Sequence, residues 1–263
     1  MKKGNCKLCH QNKDLCRESH IIPRFLYKLL AGENNSLVYL DTKNARMRFN
    51  SEYEADILCQ ECEGKIGVFD DYFSKLIYND FRQKLNLQLK NENNEEIIVL
   101  ENDPNYDYAK TKLFFLSLLW RASISSRPFF QKVKFTQEIE EDLRSMILAE
   151  NPGEIYEYPC KIFLPPLTEN PDGSGKGFDL MNMGFTMLPF CYKKDNRDIC
   201  AFVIMGTQYI LLLDKKDQNM TSFSVTKNRF VMAFNTLDGQ RLFLKFIIDT
   251  MKKAESLGGI SHS

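Results

Sequence analysis

Two short stretches, CKLCHQNKDLCRESHIIPRFLYKLL at residues 6–30 and ADILCQECEGKIGVFDDYF at residues 55–73, each carry one Cys-x-x-Cys pair. A Cys-x-x-Cys turn directs both sulfur atoms at a common point, and two such turns complete the tetrahedron that zinc prefers. The candidate ligands of one structural Zn²⁺ ion are therefore Cys6, Cys9, Cys59 and Cys62. Binding of zinc would contribute directly to folding of this part of the chain. The alternative is a group of four buried, reduced cysteines.

Other residues near the pairs are rival ligands. His10 directly follows Cys9, and Cys16 lies beyond the first pair. The sequence shows no secretory leader, and four of its eight cysteines lie in the pairs, so we expect a reducing, cytoplasmic location and no disulfide framework. Three further cysteines lie in apolar, strand-like stretches and are predicted to be small core residues: Cys160, Cys191 and Cys200.

The balance of charge bears on the partners of the chain. Its 35 basic residues equal its 35 acidic ones, which argues against strong nonspecific binding of nucleic acid through a global positive charge. Residues 1–30 are locally basic, however, and we take nucleic acid as the expected partner of this surface. The candidate contacts are Lys7, Arg17 and Arg24. The alternative is an ordinary solvated surface.

The most apolar run, LFFLSLLW at residues 113–120, is far shorter than the roughly 20 residues that a membrane helix needs. It predicts a buried helix and no membrane association. Arg121 and Arg127 flank the end of this run, where they either contact phosphate or pair with local carboxylates.

The chain of 263 residues divides by composition into three parts. The cysteine-bearing unit covers residues 1–85, residues 86–105 form a polar linker or edge segment, and residues 106–263 form a C-terminal domain. Helices are predicted from Pro23 to near Gly32, from Cys59 to about Leu85, and over residues 106–126, 136–149 and 238–256. Short strands are predicted in NNSLVYLDT, ARMRF and EEIIVL, and in five apolar runs after residue 159.

The order of the motifs carries a resemblance to a known family. A Cys-x-x-Cys pair, then His-Ile-Ile-Pro at residues 20–23, then ILCQEC at residues 57–62 followed by Glu63 resembles the zinc-knuckle branch of the HNH, or ββα-metal, nucleases. The resemblance covers residues 5–80 and implies two strands followed by a helix, braced by the cysteine pairs. The predicted class is therefore α+β, with an N-terminal zinc-braced ββα finger followed by a mixed helical and antiparallel β domain.

The same resemblance implies an active site. His20 would be the general base that deprotonates a water attacking a phosphodiester, and a divalent cation would stabilise the developing charge. The family's usual acidic residue or histidine before the base is Ser19 here, its central asparagine corresponds to Glu54, and its last histidine corresponds to Glu63. Two carboxylates suit Mg²⁺ or Mn²⁺, so both are candidate cation ligands. Glu18 shares a strand face with His20 and is the candidate replacement at Ser19.

The predicted function is metal-dependent cleavage of DNA, with RNA as the other substrate considered, in phage defence or a mobile element. Two alternatives stay open: a non-catalytic zinc module that binds nucleic acid or protein, and an intracellular ligand sensor. Residues 106–263 show no catalytic constellation. We interpret them as a target-recognition or oligomerisation domain, which makes a homo-oligomer or a partner protein the expected contact there.

Overall fold

The fold combines α-helices with several small hairpins and one large sheet, which confirms the α+β class. The computed structural model describes residues 2–26, 37–40, 45–48, 53–76, 88–92, 95–131, 133–164, 168–169, 176–177, 187–194, 197–204, 207–213 and 224–234.

The N-terminal part consists of three short hairpin-like pairs followed by a helix. Strands β1 and β2 pair around the first cysteine turn, β3 pairs with β6, and β4 pairs with β5 between them. The bounds are β1 Lys2–Asn5, β2 Asn12–Leu15, β3 Ser19–His20, β4 Leu37–Leu40, β5 Ala45–Arg48, β6 Tyr53–Glu54 and α1 Gln60–Ser74. Residues 24–26 are helical, and the rest of the helix predicted after Pro23 lies outside the described residues.

Two further helices follow the expected capping chemistry. Helix α2 (Tyr108–Ile124) begins after Asp107, whose side chain accepts a hydrogen bond from the backbone N–H of Lys110. Helix α3 (Gln137–Leu148) begins after Thr136, as the sequence predicts. The hydroxyl of Thr136 accepts a hydrogen bond from the backbone N–H of Ile139. Nearly all of α2 is buried, which confirms that the apolar run is a core helix. A 3₁₀ turn at Pro128–Phe130 lies between the two helices.

Seven strands form a mixed sheet in the order β12-β13-β14-β9-β15-β8-β7. Neighbouring strands are antiparallel, except that β15 and β9 are parallel. A separate two-stranded pair, β10 and β11, follows β9. The bounds are β7 Gln88–Glu92, β8 Glu95–Glu101, β9 Cys160–Leu164, β10 Thr168–Glu169, β11 Lys176–Gly177, β12 Met187–Lys194, β13 Arg197–Ile204, β14 Thr207–Leu212 and β15 Arg229–Phe234.

The helices connect the cysteine-bearing part to the sheet through one hydrophobic core. Phe73 of α1 stacks on Phe114 of α2, with ring centroids 3.9 Å apart. Phe115 of α2 in turn packs against Tyr209 of the sheet at 5.2 Å. Buried side chains on both sides of residues 86–105 belong to the same cluster. The division of the chain into these three parts stays a prediction. Apolar side chains from all three parts are buried in the same cluster.

Residues 86–105 differ from the prediction of a linker or edge segment. They contain β7 and β8, and β8 lies inside the sheet between β7 and β15. Of these two strands, β7 lies at an edge of the sheet within the described part of the chain. Three apolar side chains of β8 are buried, those of Ile97, Val99 and Leu100, whereas Glu95 and Glu96 at the start of the strand are exposed. The polar composition that indicated a linker belongs to the exposed β7 and the ends of the hairpin.

Cys200 is buried in the core and Cys191 packs against it, as predicted, but their pairing was not anticipated from the sequence. The two residues lie directly opposite each other on β12 and β13, with Cα atoms 4.1 Å apart, and form a disulfide. Cross-strand register, which the sequence does not reveal, brings the two sulfur atoms together. Cys160 is a free and buried cysteine, as predicted.

No helix in the part of the chain that the structure describes combines the length and the apolarity needed to cross a membrane. The helix predicted for residues 238–256 lies outside the described residues.

Candidate metal centre and the strand of His20

Four cysteine side chains converge at the junction of the first hairpin and helix α1. The sulfur atoms of Cys6, Cys9, Cys59 and Cys62 all lie within 4.8 Å of one another. Zinc with four thiolates at about 2.3 Å has sulfur atoms about 3.8 Å apart, and the Sγ atoms of Cys9 and Cys59 lie at 4.0 Å. The four residues are thus positioned to bind one metal ion, as the spacing predicts.

The backbone builds this site from two tight elements. The first pair lies in the turn between β1 and β2, where the N–H of His10 donates to the carbonyl of Cys6 at 2.8 Å and His10 adopts a left-handed φ of 58°. The second pair lies at the start of α1, with Cys59 at the N-cap position and Cys62 in the first turn. The N–H of Cys59 donates to the Sγ of Cys6 at 3.3 Å and joins the two elements.

The pKa values of these thiols shift in different directions, because burial raises the pKa of Cys59 and of Cys62. Burial raises the pKa of the Cys6 thiol, but surrounding backbone N–H groups lower it by more, so the net pKa is lowered. Two cations lie nearby. Glu61 raises the pKa of Lys13, with smaller contributions from the cysteine thiolates, and Glu141 acts in the same way on Arg144. Arg144 also donates to the carbonyl of Leu8, within the first cysteine turn.

The two rival ligands are not part of the cluster. His10 is exposed beside the turn, and Cys16 lies beyond the hairpin with its N–H bonded to the carbonyl of Leu58 at 2.8 Å. Among the described residues, the four-cysteine cluster is the group that meets the geometry of a metal site.

His20 ends strand β3 and lies directly across from Tyr53 of β6. Its backbone N–H donates to Oε1 of Glu63 at 3.3 Å, and its carbonyl accepts from Nη1 of Arg121 at 3.1 Å. The edge of this short strand is therefore bonded to side chains of α1 and α2. Burial lowers the pKa of His20, and the positive charge of Arg121 lowers it further.

Two carboxylates flank His20 without forming a bond to it in the structure. Glu18 is exposed and precedes β3, while Asp70 is partly buried on α1. Both oppose the lowering of the pKa of His20, which indicates that they lie within electrostatic range of the ring. Glu18 is thus near His20, as the sequence predicts.

Glu63 is brought to the strand of His20, on the first turns of α1. Burial raises its pKa, and the charge of Arg121 opposes that shift. Its second oxygen, Oε2, and the hydroxyl oxygen of Ser19 are both buried and have no hydrogen-bond partner within the described part of the chain. The nearby hydroxyl of Ser19 lowers the pKa of Glu63. The two side chains do not meet the geometry of a hydrogen bond, however.

Glu54 is bonded to two serines that follow α2, and its predicted role as a cation ligand beside Glu63 stays a prediction. It pairs with Ser19 in the β3–β6 ladder, and paired residues share a face, so its side chain lies on the face opposite to His20. Its carboxylate accepts from the hydroxyls of Ser125 and Ser126, each at 2.7 Å, and from the N–H of Ser126 at 3.0 Å. Burial raises the pKa of Glu54, but these bonds lower it by more.

The basic residues that were predicted to contact phosphate differ in their exposure to solvent. The side chains of Lys7, Arg17 and Arg24 are exposed near the first cysteine turn and β3. Arg121 is only 1% exposed, and it pairs with Asp70, so the alternative of a local carboxylate partner is confirmed for it.

Sequence reasoning missed the contact between Arg121 and His20. The two residues are 101 positions apart, so periodicity and motif spacing carry no signal for it. The one available signal was an arginine directly after the apolar run at residues 113–120, because a buried guanidinium requires partners. No family model, curated protein or solved structure matches the chain.

Proposed function

We propose that the chain is a zinc-braced, metal-dependent nuclease in which β3, β6 and α1 form a finger of the ββα-metal type. The structural Zn²⁺ ion would be held by Cys6, Cys9, Cys59 and Cys62, whose sulfur atoms have the required proximity. The ion would fix the first hairpin onto α1. Four thiolates suit zinc better than Mg²⁺ or Ca²⁺, which prefer oxygen.

The observation that carries the proposal is the position of His20. It lies on a strand followed by β6 and α1, and its backbone is bonded to Glu63 at the first turn of that helix, next to the last cysteine of the cluster. The histidine is half-buried rather than fully enclosed. A half-buried imidazole beside carboxylates and exposed cations is an environment typical of an acid–base group.

His20 would act as the general base. Because burial and nearby positive charge lower its pKa, the imidazole is neutral at neutral pH and can take a proton from an attacking water. The exposed cations Lys7, Arg17 and Arg24 would orient the phosphodiester backbone of the nucleic acid over this surface.

Within the described part of the chain, Glu63 and Glu18 are the candidate ligands of a catalytic Mg²⁺ or Mn²⁺ ion. Oε2 of Glu63 is buried and has no hydrogen-bond partner among the residues that the structure describes, and Glu18 is exposed nearby. Mg²⁺ is commonly held by one or two carboxylates, with water and phosphate oxygens completing its shell. A bound cation would stabilise the negative charge that develops on the phosphate.

Nicking of a supercoiled plasmid tests the proposal. The zinc-loaded protein should nick DNA when Mg²⁺ or Mn²⁺ is added, and His20→Ala should reduce the rate by about 10²–10⁴-fold, the usual contribution of a general base. His10→Asn is the matched control, because asparagine tolerates the left-handed backbone of that position. It should nick at the wild-type rate.

Two results would contradict the proposal. The first is equal nicking by His20→Ala and wild type at equal zinc content. The second is wild-type protein that binds zinc but cleaves neither DNA nor a single-stranded RNA with either cation.

A second candidate function is a zinc module that binds nucleic acid without cleaving it. The observation that favours it is the engagement of Glu54 by Ser125 and Ser126, which leaves fewer carboxylates for a catalytic cation. Under this candidate, wild type and His20→Ala bind DNA equally in a filter-binding assay and neither nicks it. Charge reversal at Arg17 and Arg24 then weakens binding, with a smaller dependence on salt.

A further inference from the structure

The backbone of His20 is held at one edge of its strand by side chains of two helices. Strand β3 has only two residues, and its single pairing partner is β6. The opposite edge of the strand has no further strand among the described residues. Its polar groups bond instead to Glu63 of α1 and to Arg121 of α2.

The guanidinium of Arg121 donates hydrogen bonds to three different residues. Nη1 and Nη2 form a two-pronged pair with the carboxylate of Asp70, at 2.9 and 2.8 Å. Nη1 also donates to the carbonyl of His20 at 3.1 Å, and Nε donates to the carbonyl of Ser117 on its own helix at 3.2 Å. The plane of the guanidinium is therefore fixed relative to α1, α2 and β3 together.

The geometry points to Arg121, held by Asp70, as a positioning residue that sets the place of His20 for catalysis. The inference rests on the proposed function, because it concerns the base of that reaction. The nuclease site is then not confined to residues 1–85, since one of its determinants is supplied by the helix at 108–124.

The contact bears on catalysis because His20 is the last residue of its strand. A hydrogen bond to its own carbonyl fixes the peptide plane that follows the Cα atom, and with it the direction in which the ring leaves the backbone. A displacement of about 1 Å of a catalytic group can cost a factor of about 100 in rate. Arg121 is 1% exposed and is therefore beyond direct contact with the substrate.

Two variants change the contact while preserving most of the packing. Arg121→Lys keeps the charge but cannot bond Asp70 with two prongs and reach His20 as well. Asp70→Asn keeps the size of the side chain but weakens its hold on the guanidinium. Each variant is assayed for zinc content, thermal midpoint, kcat and KM for nicking, well below its own midpoint. We expect kcat to fall by about 10–100-fold in both variants, with KM unchanged.

Arg229→Lys is the matched control. Arg229 also bridges carboxylates, pairing with Glu92 and with Glu101 at 2.8 Å, but it lies on β15 of the sheet. The Arg229→Lys change should lower the thermal midpoint without changing kcat. Equal losses of kcat in Arg229→Lys and Arg121→Lys, or full kcat in folded Asp70→Asn, would overturn the inference.

A second measurement separates the failure of this inference from failure of the proposed function. The chain has three histidines, so the ring signals of His20 can be assigned by NMR from His20→Ala. In zinc-loaded protein without nucleic acid, Arg121→Lys, which keeps the positive charge, should shift the ring signals of His20 and leave those of His10 in place. If wild type does not nick, the proposed function fails, and this spectrum still decides whether Arg121 positions His20. Unshifted His20 signals would overturn the inference.

Discussion

The ring of Phe73 stacks on the ring of Phe114 with their centroids 3.9 Å apart and their planes inclined by 13°. Phe73 lies on the helix that carries two of the cysteines, and Phe114 lies on the long buried helix α2. Both side chains are fully buried. This contact joins the cysteine-bearing part of the chain to the core of the rest.

Phe73→Ala should therefore destabilise the whole fold. Loss of a buried phenylalanine costs about 3–5 kcal/mol, through lost burial and the cavity that remains. Val68→Ala, on the same helix, is the control, because Val68 is 50% exposed and its change should cost under about 0.5 kcal/mol. Denaturant unfolding of zinc-loaded protein measures the free energy of unfolding of both variants. If Phe73→Ala costs as little as Val68→Ala, the cysteine-bearing part and the rest of the core are not coupled.

The exposed face of α1 offers a way to stabilise the protein. Gly64 and Gly67 lie within the helix, and a Cβ atom added at either position would contact nothing within 4 Å. Each Gly→Ala change should raise the free energy of unfolding by about 0.5–1 kcal/mol, because alanine loses less backbone entropy. Gly153→Ala is the contrast: at a φ of +67° it should destabilise. Thermal unfolding checks the signs, and destabilisation by Gly64→Ala or Gly67→Ala would contradict them.

Lys112 makes stability depend on pH. It is buried, with Nζ bonded to the carbonyl of Glu154 at 2.5 Å, and burial lowers its pKa from 10.5 to about 8. Between these two values the unfolded chain keeps a proton that the folded chain has released, so stability rises with pH through that window. From pH 7 to about 9.5, wild type should gain about 1–2 kcal/mol relative to Lys112→Met.

The control for Lys112 lies on the same helix. Lys110 pairs with Asp107, and this bond raises its pKa above the ordinary value. The stability of Lys110→Met relative to wild type should therefore stay constant between pH 7 and about 9.5. Urea unfolding at a series of pH values gives both curves. A constant difference for Lys112→Met as well would mean that its ammonium is not desolvated in the folded state.

Glu54 and Glu63 should respond differently to the same change. Glu54→Gln loses charge-assisted bonds with Ser125 and Ser126, and it should cost about 1–3 kcal/mol of stability while leaving cation-dependent nicking intact. Glu63→Gln removes the carboxylate beside His20 and should abolish nicking. Rates measured against Mn²⁺ concentration test the pair. Loss of nicking in a stable Glu54→Gln variant would indicate that Glu54 is a ligand of the catalytic cation.

Local features of the sequence predict much of this fold. The cysteine spacing gives the ligand cluster, Thr136 marks the residue before α3, and the apolar run at 113–120 predicts the buried helix. These features depend on neighbours within a few turns of chain, where periodicity and capping are informative.

Long-range register explains what the sequence leaves undetermined. Ser19 and Glu54 pair across an insertion that contains another hairpin, and the face of Glu54 follows from that pairing alone. The disulfide between Cys191 and Cys200 depends on register in the same way. A shift of one residue turns a side chain to the other face of a strand, and composition does not determine that choice.

We infer that four sulfur atoms enclose one metal ion and fix the hairpin against α1. Zinc analysis with X-ray absorption spectroscopy of the purified protein tests this inference. We expect one zinc ion per chain with four sulfur ligands at about 2.3 Å. Cys62→Ser should lose the ion, while Cys16→Ser keeps it. Protein that folds without zinc, or zinc bound with nitrogen in its first shell, would contradict the account.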